Sequence, residues 1–104
     1  MTTNGVPTTD LSQLPNPLPA DLAVLDVREI DEWNSGHIEG AIHIPLGEVT
    51  GRTAELDPQV QTLVVCHLGG RSARATAYLV QNGFDAVNLD GGMDAWLQAG
   101  RDVV

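Results

Sequence analysis

Cys66-His67-Leu68-Gly69-Gly70-Arg71-Ser72 carries the only cysteine of the chain, directly after the apolar run Thr62 to Val65 and at the opening of a helical stretch. A thiol so placed meets three influences that favour its anion: inward-turned backbone N–H groups, a helix N-terminus and a nearby arginine. Each stabilises negative charge, and together they are expected to draw the thiol below its free pKa of about 8.5. One pKa unit is about 1.4 kcal/mol of preference for the thiolate. The same loop could hold a small oxyanion beside the sulfur. Residues of these types at this spacing describe a nucleophile acting on an anionic substrate.

The neighbours divide into groups that touch substrate and groups that support them. Free cysteine is commonly a buried core residue, but the Gly69-Gly70-Arg71 that follows favours a reactive role for Cys66. Arg71 is expected both to brace the loop and to help hold the anion, its planar fork suiting paired oxygens. Gly69 and Gly70 are read as positions where a tight curve needs unusual φ values or close approach to ligand. His67 and Leu68 complete the rim; His67 touches substrate rather than acting as a base, because a low-pKa thiol needs none. Ser72 is expected to cap its helix, with its hydroxyl also in reach of the bound sulfur. Asp26 and Arg28 are assigned to a supporting polar network beneath the loop. His37 and His43 are assigned to local hydrogen bonds, Trp33 and Trp96 to the core or a partner face, and Glu29, Asp31 and Glu32 to a solvated helix face. One thiolate without paired ligands makes no metal site, and no cofactor is expected.

Elements at regular spacing must position this loop. Four short apolar runs, Leu22 to Val27, Ala41 to Ile44, Thr62 to Val65 and Ala86 to Leu89, have the character of buried parallel strands. Helical candidates alternate with them: Glu29 to Trp33, a weaker piece from Leu46 to Glu55, Ser72 to Asn82, and Met93 to Gln98. In the third of these Ala73, Ala77 and Val80 form the apolar stripe, with Thr76 beside it. Asn82-Gly83-Phe84 is its glycine stop, Phe84 packing back onto the last turn. The alternation predicts an α/β sandwich on a mostly parallel sheet, with the cysteine at the carboxyl end of a strand, where such sheets bind ligands. Residues 1–19 supply an edge strand near Val6, a turn at Asp10 to Leu14 and an extended connector at Pro15, Pro17 and Pro19. Residues 20–104 form the main body, and 1–104 is read as one domain.

The formal net charge is −9, from 14 acidic residues against five arginines and no lysine. So acidic a chain is a poor ligand for nucleic acid, whose phosphates need a basic face. Screening over about 8 Å at physiological salt mutes distant carboxylates, so donors at contact distance govern an anion in the loop. No apolar run approaches the roughly 18 residues of a membrane span. The polar start and the lone cysteine together predict a cytoplasmic setting.

Four pieces in register resemble the single-domain rhodaneses, a sulfurtransferase family. Leu25-Asp26-Val27-Arg28-Glu29 with Glu32-Trp33 is similar to the family's D-V-R-E-x-x-E-[FW] segment. Gly36-His37-Ile38-Glu39-Gly40-Ala41-Ile42-His43-Ile44-Pro45 is similar to its G-H-I-x-G-A-x-x-I-P signature. Cys66 through Ser72 resembles the active loop C-x-x-G-x-R-S, and Leu89-Asp90-Gly91-Gly92-Met93 with Trp96 and Gly100 resembles the closing segment. The resemblance implies a rhodanese fold, a five-stranded mostly parallel sheet with helices on both faces. It also implies that a Cys66 persulfide passes sulfane sulfur from a small anionic donor such as thiosulfate to cyanide or a thiol, including a protein thiol. His67 stands where many members carry a basic residue, so it bears on donor preference. Two other functions stand beside this one: a non-catalytic interaction module, and a cysteine phosphatase or arsenate reductase. The four residues between Cys66 and Arg71 make a shorter ring than the C-x5-R of the related phosphatases.

Overall fold

Short runs of Val, Leu and Ile with no charged face form a sheet only where both faces are covered. In the computed structural model, which describes residues 2, 3 and 5–104, the strands are β1 (Thr2–Thr3), β2 (Val6–Thr9), β3 (Ala23–Asp26), β4 (Ile42–His43), β5 (Thr62–Val65) and β6 (Ala86–Leu89). Their order is β1-β2-β6-β5-β3-β4. Five of them, β2 to β6, run parallel, and β1 adds an antiparallel edge that sequence reasoning did not anticipate. The expected α/β fold with a five-stranded parallel sheet is therefore present.

Alternation along the strands sends side chains into two cores. Leu25, Val27, Val64 and Cys66 pack with Val49, Leu56, Ala75 and Leu79 on one face. Val24, Leu63, Val65 and Leu89 pack with Met93 and Trp96 on the other. The first face is covered by α2 (Gly70–Gln81) and two short 3-10 turns, Leu46–Gly51 and Thr53–Glu55; the second receives α3 (Gly92–Gln98). The 3-10 turns replace the weak helix expected from Leu46 to Glu55, where Gly47, Gly51 and the β-branched Val49 and Thr50 oppose a continuous α-helix. A further short helix, α1 (Ile30–Asn34), follows β3. Among the described residues, no helix is long and apolar enough to cross a membrane.

Helix α2 differs from expectation in start and phase. It begins at Gly70, and its buried residues are Ser72, Ala75, Thr76 and Leu79, so Val80 points outward, 40% exposed. The polar anchor of Ser72 sets the phase, one step away from the Ala73-Ala77-Val80 stripe. The end is as expected. Gly83 takes φ 87°, its N–H reaches Val80 O at 3.2 Å, and Phe84 N–H reaches Leu79 O at 3.0 Å, the paired bonds of a glycine-terminated helix. Phe84 then packs against the first core.

Candidate active site

β5 delivers Cys66 to the carboxyl edge of the sheet, and the first turn of α3 fixes the strand's exit. Met93 N–H donates to Cys66 O at 2.8 Å and Asp94 N–H to His67 O at 3.0 Å. This approach requires Gly92: a Cβ there would stand 2.3 Å from Cys66 O and 2.7 Å from His67 O. With these carbonyls drawn outward, the following amides turn inward. Gly69 N–H donates to Cys66 Sγ at 3.1 Å, Ser72 N–H at 3.3 Å, and the Ser72 hydroxyl lies 3.3 Å away. Gly69 makes the curve in the left-handed region, at φ 112°. Cys66 is 1% exposed. Burial, the largest single influence, pushes its thiol up; the donors of Ser72, Gly69 and Leu68 together outweigh it, and the thiol lies below its ordinary value.

The other expected site residues take definite places. His67 and Leu68 are exposed on the rim. Gly70 needs neither left-handed backbone nor close packing, since a Cβ there would meet nothing within 4 Å, so the reason given for Gly69 does not extend to it. Ser72 is not the helix cap: Gly69 holds that position. The Ser72 side chain turns inward instead, to Sγ and to Asn88 Oδ1, the latter at 2.5 Å.

Arg71 makes a two-pronged ion pair with Glu32, at 2.7 and 2.8 Å. This ties the cysteine loop to α1 and corrects the reading of Glu32 as part of a solvated face. The same carboxylate accepts Glu29 N–H at 3.0 Å. Arg71 first of all, opposed by burial and aided by Glu29 N–H, holds Glu32 at about 2. Arg71 is pushed up in turn, first by Glu32, with lesser contributions from the charges of Cys66 and Glu29.

Asp26 and Arg28 form a buried ion pair. Arg28 Nε and Nη2 bind the Asp26 carboxylate at 2.9–3.1 Å, and Nη2 also donates to Gly36 O at 2.8 Å. Asp26 lies beside Val65 in the sheet register, so the network buttresses the strand that ends at the cysteine. His37 and His43 meet Trp33 O and Arg28 O, and both rings stack on Trp33. Trp96 is core, 5% exposed.

Sequence reasoning missed two members of the site. Glu32 is 39 positions from Arg71, and no local pattern joins them. Asn88 carried a readable signal: one amide inside the apolar run Ala86 to Leu89, where strands disfavour Asn and buried polar groups need partners. Clefts of about 450 and 570 Å³ lie at the other ends of the strands, against Ala23, Gln61 and Asp85, away from Cys66. Among the described residues, no group of three His, Cys, Asp or Glu is placed to hold a metal ion.

A buried thiol ringed by donors at the end of a parallel strand defines a family as well as a site. The rhodanese-like domain family profile matches residues 9–99, and the chain belongs to that family. It is 45% identical over 76 residues to "Putative sulfur carrier protein YrkF" of Bacillus subtilis, an alignment covering 72% of this chain and 41% of that longer protein. Against "Thiosulfate sulfurtransferase GlpE" of Pseudomonas entomophila it is 40% identical over 74 residues, covering 70% of this chain and 68% of the relative. Among solved structures, a rhodanese-related protein from Thermoplasma volcanium superposes with a TM-score of 0.88 at 33% identity, covering 94% of this chain and 97% of that one.

Proposed function

We propose that this chain is a sulfurtransferase in which Cys66 carries the sulfur. The single observation that supports this reading best is the cradle at Cys66, where two backbone N–H groups point at Sγ from 3.1 and 3.3 Å. Donors so arranged favour a thiolate nucleophile and then hold the terminal sulfur anion of its product. The thiolate attacks the outer sulfur of a donor such as thiosulfate. A new S–S bond forms, the old one breaks, and sulfite leaves with the electron pair. An acceptor, cyanide or a thiolate, next attacks the outer sulfur of the persulfide, and Cys66 departs as thiolate. Two half-reactions give ping-pong kinetics.

The relatives named sulfurtransferase and sulfur carrier accord with this reading, and Cys66, His67 to Ser72 and the Asp26–Arg28 support are its working parts. The four residues between Cys66 and Arg71 make a shorter ring than the C-x5-R of the related phosphatases, and this favours sulfane sulfur over a tetrahedral phosphoryl group. Mass spectrometry after incubation with thiosulfate is the direct test. A gain of one sulfur atom at Cys66, lost on adding cyanide as thiocyanate appears, is expected. No adduct from thiosulfate, 3-mercaptopyruvate or glutathione persulfide would leave an interaction module, and phosphate release from an aryl phosphate would leave a phosphatase.

A further inference from the structure

Asn88 is a polar residue where the fold has little use for one. It occupies the third position of β6, paired with Thr8 of β2 and Val64 of β5, and is 5% exposed. Its Oδ1 receives the Ser72 hydroxyl at 2.5 Å, and that same hydroxyl oxygen stands 3.3 Å from Cys66 Sγ. Ser72 is fully buried, and its hydroxyl meets Cys66 Sγ and Asn88 Oδ1, so its proton has a short choice of partners.

A serine hydroxyl has a single proton. While it points at Asn88 Oδ1, it offers Cys66 only a lone pair, which suits a protonated thiol. When the thiol proton leaves to solvent, the hydroxyl must turn toward Sγ to stabilise the anion, and Asn88 Oδ1 loses its donor in a buried place. Asn88 and the thiolate therefore compete for one proton. We propose that Asn88 is a positioning residue which, through Ser72, sets how readily Cys66 becomes a nucleophile. This rests on Cys66 being the reactive group of the proposed function. Such restraint has a chemical use: a thiol stabilised too far loses intrinsic nucleophilicity, and attack is best when its pKa lies near ambient pH.

The charged groups that bear on Cys66 come from several segments. Arg71 on α2 acts on it directly, and Glu32 of α1 partly neutralises Arg71. His67 follows it in the chain, Asp94 is anchored to the His67 carbonyl, and the backbone of Asp90 lies against Gly69. None of them hydrogen-bonds the Ser72 hydroxyl, whose partners are Cys66 Sγ and Asn88 Oδ1, and this separates them in an experiment.

The test is the pH dependence of iodoacetamide alkylation, which reads Cys66 alone because the chain has one cysteine. Asn88→Ala frees the Ser72 hydroxyl for Sγ, and the alkylation midpoint is expected to fall by at least about half a unit. Asn88→Asp holds the proton more firmly and raises it. In a Ser72→Ala background, Asn88→Ala is expected to leave the midpoint where it is. Asn88→Val, a better strand former, repeats the measurement should Asn88→Ala fail to fold by circular dichroism. A rise with Asn88→Ala or Asn88→Val would show the amide NH₂ facing Ser72 and overturn the proposal. So would an equal shift with and without Ser72. Sulfur loading of the unaltered protein is read separately, so failure of the transfer reading and failure of the Asn88 inference give different results.

Discussion

At the scale of single residues, the site is a contest between burial and donation. Cys66 is almost wholly enclosed, which disfavours charge, yet its hydrogen bonds prevail. The unaltered protein should therefore alkylate with a midpoint below the free-thiol value of about 8.5; a midpoint at or above it would mean that burial wins. Cys66→Ser is expected to abolish sulfur loading while leaving the thermal unfolding midpoint nearly unchanged, as differential scanning calorimetry would record. Arg71→Ala removes a charge and a brace together. Hydrogen bonds to charged groups are worth roughly 1.5–3 kcal/mol, so a fall of about tenfold or more in turnover is expected. Glu32→Gln separates the two roles, because it spares the cation and weakens only the brace. Steady-state rates that fall in Glu32→Gln as in Arg71→Ala would assign the loss to loop geometry.

At the scale of elements, the two glycine positions flanking the loop make opposite predictions. Gly92→Ala would drive a methyl group to 2.3 Å from Cys66 O, with left-handed backbone besides, and is expected to cost more than about 2 kcal/mol in denaturant unfolding. Gly70→Ala meets open space at the start of α2 and should stabilise by about 0.5 kcal/mol. Any loss of turnover there would place substrate over that position. The strands and the close of α2 were legible because they are written locally: β5 in an apolar run, β6 in one interrupted only by Asn88, the end of α2 in Asn82-Gly83-Phe84. The phase of α2 was not legible, since alanine is nearly indifferent to burial and the deciding contact, Ser72 with Asn88, joins two elements. The same holds for Arg71. Its charge was plain in the sequence, whereas the carboxylate that holds it depends on where α1 packs.

At the scale of the whole molecule, an acidic chain has committed most of its cations. Among the described residues, Arg28, Arg52 and Arg71 are in ion pairs, and Arg101 donates to the carbonyls of Leu11, Leu14 and Pro15. With net charge −9, the approach of a dianionic donor is opposed at long range, so kcat/KM for thiosulfate should rise as salt is added from low ionic strength. A fall instead would reveal a cationic entrance. Stability has its own acid limit. Glu32 lies at about 2, below its ordinary 4.5; its contribution is complete above about 4.5 and is lost as pH falls toward 2, so Glu32→Gln should flatten the unfolding curve in that window. The solitary cysteine has one more consequence. Under the proposed function, a sulfane atom lodged on Cys66 has no second thiol among these 104 residues to expel it by ring closure. Discharge then waits on a visitor, and the lifetime of the charged form becomes a measure of how often that visitor calls.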